Sequence, residues 1–307
     1  MTIASIDMGT NTVRLLIAKQ LENCKFDFLH QESKIARIGE GFKAKKTISD
    51  KALDRTIKIL KYYKDIIEKF KAKYVFIVAT SAVREAENKD WFIQTIKDET
   101  GFNIDIISPN KEAYLTQLGI VYNIENIIKN KKWIAFDLGG GSTEFMFSEG
   151  KELKSSISIP LGVVKLLEMF IKHDPPLHSE IEKAQSYFIE TLRQQENFNK
   201  DIDFLVGNAG TVTSLAAIEL NLDRYSYKKT ETYKLKQTSI EKIFRELMSL
   251  KSSERLIRYK ILEKGREDVI VVGAAIVNSI LKFFSKDFLI TTNGSLREGL
   301  LIERLCE

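Results

Sequence analysis

One pattern is written twice in this chain. Residues 4–15 read ASIDMGTNTVRL and residues 135–145 read AFDLGGGSTEF. Each is an apolar strand, an aspartate, a glycine turn, hydroxyl-bearing residues and a second apolar strand. Glycine weakens a strand that it interrupts, so its recurrence at the same place calls for a reason. The surroundings repeat too. Strand signals at 2–7, 12–19 and 25–35 lead into helical spacing over 49–72, with Ser49 or Asp50 as N-cap. A continuously apolar strand at 74–80, a helix near 88–100, a strand at 103–108 and a proline-led helix at 109–124 follow. The order then restarts, with strands at 133–139, 143–150 and 153–162 and helices at 163–171 and 178–197. A strand and glycine loop at 203–211 come next, then helices at 211–219, 239–249 and 266–284, a strand at 287–292 and a last helix at 294–305.

The chain thus reads as ββ(β)αβαβα, twice. Such a duplication predicts an α/β fold of two similar lobes. Ligands of these sheets sit beyond the carboxyl ends of the strands, so the glycine turns are expected to line a cleft between the lobes. A hydrophobic content of 44% in 307 residues is ample for a core, and four prolines with sixteen glycines exclude long disordered stretches. The net charge of +5 suits an anionic partner without identifying one. The aromatics are spread along apolar faces, which argues against a nucleic-acid stacking surface. Cys24 and Cys306 stand at opposite ends, as in a reducing compartment. Asp7 interrupts what would be the apolar heart of a signal peptide. The apolar run 268–284 contains Asn278 and Lys282 and reads as a buried helix, not a membrane span. A cytoplasmic protein with no membrane association is expected. The KAKK run at 43–46 reads as a solvated turn, and His30, His173 and His178 lack metal spacing.

Each glycine turn suits a phosphate. Backbone amides of Gly9 and of Gly139, Gly140 and Gly141 can converge on its oxygens, and the hydroxyls of Thr10, Thr12, Ser142 and Thr143 can donate more bonds. The carboxylates of Asp7 and Asp137 would repel a bare phosphate, but Mg²⁺ between them reverses the sign. Glu144 returns on the second strand to the same end of its hairpin. The third loop, VGNAGT at 206–211, leads into a helix whose N-terminus favours an anion.

Taken together, these residues resemble the acetate and sugar kinase/Hsp70/actin superfamily, and within it the exopolyphosphatase/guanosine pentaphosphate phosphohydrolase (Ppx/GppA) family. The likeness runs through DMGTNTVRL (7–15), RIGEGF (37–42), ATSAVREAEN (79–88), ISPNKEAYLTQLG (107–119), DLGGGSTEF (137–145), GNAGTVTSLAA (207–217), GREDVIVVGAAI (265–276) and SLREGLL (295–301). Departures are Thr10 in place of a serine and Ala209 in place of a frequent glycine. The resemblance implies two actin-like (ribonuclease H-like) lobes: 1–118 completed by 293–307, and 119–292. It implies a short member without the C-terminal helical extension of long ones. It also implies a Mg²⁺- or Mn²⁺-dependent hydrolase that releases terminal orthophosphate from polyphosphate or pppGpp. Glu112 would be the base that orients water, with Arg84 beside it. Gly9, Thr10, Asn11, Thr12, Arg14, Arg37, Gly139, Gly140, Gly141, Ser142, Thr143, Gly210, Thr211 and Arg266 would hold phosphate. Asp137, Glu144 and Asp7 would serve the metal. A homodimer is implied, with a monomer left open by the short chain. Two alternatives stand beside this reading: an ATP-dependent small-molecule kinase of the same fold, and a non-enzymatic polyphosphate or pppGpp sensor.

Overall fold

The structure, a computed structural model, describes residues 1–41, 46–195 and 201–306, so most of the KAKK run lies outside the described residues. The chain divides into two compact units, Met1–Tyr122 with Gly294–Glu307, and Asn123–Asn293.

Unit 1 is built on a five-stranded sheet of order β3-β2-β1-β4-β5. Its strands are β1 (Thr2–Met8), β2 (Thr12–Gln20), β3 (Phe26–Ile35), β4 (Tyr74–Ala79) and β5 (Asp105–Ile106). The first three form an antiparallel meander, while β4 and β5 add in parallel. The helices are α1 (Asp50–Lys69), α2 (Ser81–Glu85), α3 (Lys89–Thr100) and α4 (Pro109–Ile124). Ser49 caps α1 by accepting from the Ala52 amide at 3.3 Å. Alternation along β1 sorts the faces. Ala4, Ile6 and Met8 pack with α1 and α3, while Ile3 and Ser5 face the C-terminal helix.

Unit 2 carries a six-stranded sheet, β10-β11-β9-β6-β7-β8. Its strands are β6 (Lys132–Leu138), β7 (Thr143–Glu149), β8 (Glu152–Ile159), β9 (Phe204–Asn208), β10 (Lys234–Lys236) and β11 (Phe288–Thr291). Apart from the added edge strand β10, the order and directions repeat those of unit 1. Its helices are α5 (Val163–Phe170), α6 (His178–Arg193), α7 (Ala209–Glu219), α8 (Tyr227–Thr230), α9 (Gln237–Ser249), α10 (Ser252–Arg258) and α11 (Val269–Phe283). From Val269 to Leu281 α11 is buried on all sides, which is why the run 268–284 is so apolar. Helix α12 (Leu296–Cys306) returns to unit 1 and crosses α4 closely: a Cβ on Gly299 would lie 1.7 Å from the Leu115 carbonyl oxygen.

The duplicated α/β pattern is thus present strand for strand. The strand expected at 103–108 shrinks to two residues, because only Val78 and Ala79 offer it a partner. The expected loop 209–210 is already the first turn of α7, since Asn208 caps it. The short elements α2, α8, β10 and α10 have no signal of their own in the sequence pattern. No helix among the described residues is long and apolar enough to cross a membrane.

Candidate functional site

In unit 2, β6 and β7 close a hairpin with Leu138 opposite Thr143 and a four-residue turn, 139–142. The Gly139 amide donates to the Ser142 carbonyl at 3.1 Å. No residue of this turn has a left-handed backbone, so its glycines serve closeness of approach. A Cβ on Gly162 would stand 2.4 Å from the Gly139 carbonyl oxygen and from the Gly140 carbonyl carbon. This contact lets the start of α5 cap the turn from behind. The Val163 and Val164 amides donate to the Gly139 and Gly140 carbonyls at 2.9 Å, and Lys165 to Gly140 at 3.3 Å. With the carbonyls held on one side, the Gly140, Gly141 and Ser142 amides donate to nothing among the described residues. Consecutive amides of this kind form an anion-binding concavity.

Asp137 and Glu144 are cross-strand partners in the same hairpin, so both carboxylates share one face. Glu144 is buried and accepts from Ser158 Oγ at 2.9 Å. Asp137 accepts from Asn208 Nδ2 at 3.2 Å, and Asn208 Oδ1 accepts from the Ala209 amide at 2.6 Å. Asn208 therefore joins the Asp137 carboxylate to the α7 N-terminus. It escaped the sequence reading, although its register opposite Asp137 is fixed by the parallel β6–β9 pair.

Two hydroxyls of unit 2 differ from expectation. Thr143 Oγ1 donates to the Leu161 carbonyl at 2.6 Å, which commits its proton inside the fold. Thr211 presses its Cγ2 and Oγ1 against Gly273 of α11, where a Cβ would lie 2.5 and 2.9 Å away. The Arg266 guanidinium lies over Gly210: an added Cβ would be 1.8 Å from Nη1. Arg266 also meets Glu263 Oε2 at 3.1 Å. The glycine at 210 is thus what seats the arginine on the first turn of α7.

Unit 1 repeats the hairpin. Met8 faces Val13, and the Gly9 amide donates to the Thr12 carbonyl at 3.0 Å. Here the backing comes from the segment after β3. The Ala36 and Arg37 amides donate to the Asn11 carbonyl at 2.9 Å, and Gly39 to the Thr10 carbonyl at 3.0 Å. The Thr10 and Asn11 amides donate to nothing among the described residues. Arg37 takes a left-handed φ of 48° in this segment. Arg55 of α1, which the sequence reading passed over, holds it. Its Nε donates to the Ala36 carbonyl at 2.8 Å, and its Nη2 to the Arg37 carbonyl at 3.2 Å and Glu40 Oε2 at 2.7 Å.

Asp7 differs from its counterpart. Its cross-strand partner is Arg14, not a carboxylate. Burial pushes its carboxyl above the ordinary value of 3.8, against the pull of Arg14 and then Arg297, while Glu298 pushes further up. Arg297 and Glu298 enter from α12. Arg297 Nη1 donates to the Leu15 carbonyl at 3.1 Å, and Glu298 Oε2 accepts from the Ser295 amide and hydroxyl at 2.9 and 2.6 Å.

The Thr80 amide donates to the Met8 carbonyl at 3.2 Å and the Ile107 amide to Ala79 at 3.2 Å, which brings α2 and the start of α4 to the carboxyl edge of the sheet. Ser108 caps α4 through the Lys111 amide, and Glu112 occupies the first turn. Arg84 Nη1 of α2 bonds Glu112 Oε2 at 2.9 Å and the Ile107 carbonyl at 3.0 Å. Both partners are largely buried. Among the described residues no group of three or more His, Cys, Asp or Glu is placed to hold a metal ion.

The sequence pattern of the Ppx/GppA phosphatase family matches residues 16–307. A bifunctional 3-dehydroquinate synthase/phosphatase of Fusobacterium nucleatum is 33% identical over 98% of this chain and 46% of its own length, so the chain spans about half of that relative. An exopolyphosphatase 2 of Mycobacterium tuberculosis is 29% identical over 91% of this chain and 90% of its own. Among solved structures, the Aquifex aeolicus member of the Ppx/GppA family aligns with a TM-score of 0.82 and 34% identity over 100% of this chain and 98% of that one. With the doubled hairpins in place and the family pattern running through both units, the chain belongs to the Ppx/GppA phosphatase family.

Proposed function

We propose that this chain is a phosphoanhydride hydrolase that releases terminal orthophosphate from inorganic polyphosphate, pppGpp or both, with Mg²⁺ or Mn²⁺. The observation that carries the reading is the run of amides at Gly140, Gly141 and Ser142 that donate to nothing among the described residues, in the hairpin that carries the Asp137–Glu144 carboxylate pair. The names of the Fusobacterium and Mycobacterium relatives, a phosphatase and an exopolyphosphatase, support the reaction class.

The donor set fits magnesium, which takes one or two carboxylates and completes its shell with water and phosphate oxygens. Asp137 and Glu144 would hold it, and when bound it would neutralise phosphate charge. Asp7, set opposite Arg14 in hairpin 1, would add a further carboxylate for the metal. The amides of Thr10 and Asn11 and of Gly140, Gly141 and Ser142 bind phosphate oxygens. Arg14, Arg37 and Arg266 add positive charge on the anionic chain. Glu112 orients a water molecule and accepts its proton, while Arg84 fixes the carboxylate through Oε2. Phosphoryl transfer asks mainly for such positioning and charge neutralisation.

The test is phosphate release from long-chain polyphosphate and from pppGpp, with Mg²⁺ and with chelator, for wild type and Glu112→Gln. Expected is metal-dependent release without any acceptor, and a fall in kcat on the order of 10² in the variant. Phosphate that appears only on a second substrate with ATP as donor would establish the kinase. Tight binding with no turnover would establish the sensor.

A further inference from the structure

Tyr225 lies outside every motif used above. Its hydroxyl is tied down: it donates to Asn293 Oδ1 at 2.5 Å and accepts from Thr230 Oγ1 at 3.4 Å. Asn293 in turn donates to the Tyr227 carbonyl at 2.9 Å, and Thr292 Oγ1 donates to Glu231 at 2.7 Å. The loop that carries Tyr225 is thereby stapled to the carboxyl end of β11. Yet the residue as a whole stays 37% exposed. The ring is therefore held from its hydroxyl end, while part of the residue stays open to solvent. Tyr227 crosses it edge-on, with centroids 4.9 Å apart at 78°, which fixes the ring further.

The neighbourhood has direction. The Thr292 amide donates to the Gly207 carbonyl at 3.1 Å, which sets the segment stapled to Tyr225 beside the β9–α7 turn. Arg266 sits on Gly210 at that helix start. Arg224, Lys228 and Lys229 flank the loop and are exposed. A tethered, partly exposed aromatic residue near an arginine-covered helix N-terminus suits a ligand with a flat ring at one end and phosphates at the other.

We propose that Tyr225 is the specificity-determining residue for a nucleoside polyphosphate: its ring stacks on the base while Arg266 takes a phosphate of the same molecule. This rests on the phosphate-hydrolase reading above and adds to it a preference for a base-bearing substrate over inorganic polyphosphate. Stacking on an aromatic ring tolerates any base, because every base has a π-face. The ring therefore selects nucleotides as a class.

The experiment compares pppGpp with inorganic tripolyphosphate, which has the same anhydride end and no base. The variants are Tyr225→Ala, and Tyr225→Phe, which keeps the ring and loses the anchor hydroxyl. In Tyr225→Ala the ratio of kcat/KM for pppGpp to that for tripolyphosphate is expected to fall roughly ten- to a hundredfold, through KM. In Tyr225→Phe it should stay within about threefold of wild type, the size expected when stacking itself is retained. A ratio unmoved in Tyr225→Ala, or moved equally in both variants, overturns the proposal. If wild type hydrolyses neither substrate, the hydrolase reading fails, and calorimetric titration with ppGpp and with pyrophosphate still decides. Tighter binding of ppGpp that is lost in Tyr225→Ala supports the stacking role. Equal binding of the two, or none, overturns it.

Discussion

The two hairpins, 7–14 in unit 1 and 137–144 in unit 2, share turn length, register and the trick of holding turn carbonyls from behind. They differ in what faces the aspartate and in what does the holding. Asp137 faces Glu144, whereas Asp7 faces Arg14. Two carboxylates on one face repel each other unless a cation joins them. A carboxylate facing an arginine needs none. One duplicated scaffold thus carries a carboxylate pair in one hairpin and a carboxylate–arginine pair in the other, through a change at a single cross-strand position.

The largest expected effect tests that division. Glu144→Gln is predicted to cut kcat by roughly 10²–10³, the range for loss of a preorganised electrostatic group. The Mg²⁺ concentration needed for half-maximal rate should rise as well. Arg14→Gln should act mainly on KM, by about tenfold, with the metal requirement unchanged, as for loss of one charge-assisted contact. A metal titration of phosphate release checks both. If Arg14→Gln moves the Mg²⁺ requirement as far as Glu144→Gln does, the division of labour is wrong.

The second difference is the backing. A Cβ on Gly162 meets backbone, the Gly139 oxygen and Gly140 carbon at 2.4 Å. A Cβ on Gly39 meets Thr10 Cγ2, also at 2.4 Å, which is a side-chain methyl. Backbone held by three amides has nowhere to go, whereas a methyl can turn. Gly162→Ala is predicted to destabilise by about 1–3 kcal/mol, as overpacking does. Gly39→Ala should cost less. Denaturant unfolding of both variants settles the order. The reverse ranking would mean that hairpin 1 is the stiffer cradle.

Much of this was legible before any coordinates. The period-2 strands, the restart at 133 and the glycine turns carry strong local signals, and the doubled order alone fixed the α/β class. What stayed hidden depends on long-range register. Asn208 reaches Asp137 only because β9 lies parallel to β6. Arg55 clamps residues 36–40 from a helix whose own pattern shows only an amphipathic face. Thr143 and Thr211 read as phosphate donors from the turn motif, and their inward contacts with Leu161 and Gly273 depend on segments far along the chain. The third loop misled because a helix cap and a glycine loop look alike in sequence.

Asp7 supplies a prediction on pH. Burial holds its carboxyl above the ordinary value, so the native chain grips this proton more tightly than the unfolded one. Stability contributed by Asp7 therefore falls as pH rises from 3.8 through the raised native value, and the cost is fully present above it. Asp7→Asn should remove that loss, giving a protein more stable than wild type at neutral pH and no more stable in acid. Thermal melts across pH read the difference. A variant equally shifted at every pH would show that lost hydrogen bonds, not titration, dominate at this site.

The smallest effect concerns the third turn. Neither hairpin turn uses left-handed backbone, but Ala209, at the start of α7, has a φ of 75°. A side chain there stores roughly 1–3 kcal/mol of strain. Glycine would release it, against about 0.5–1 kcal/mol of added chain entropy and about 0.8 kcal/mol for one buried methyl group. The balance for Ala209→Gly runs from a loss of about 1 kcal/mol to a gain of about 2 kcal/mol, centred on the stabilising side. Such strain is kept where the surrounding structure over-determines it, and here Asn208 Oδ1 accepts from the Ala209 amide while the Arg266 guanidinium lies over Gly210. A loss of more than about 1 kcal/mol in denaturant unfolding would mean that the methyl group, not the backbone, sets this turn.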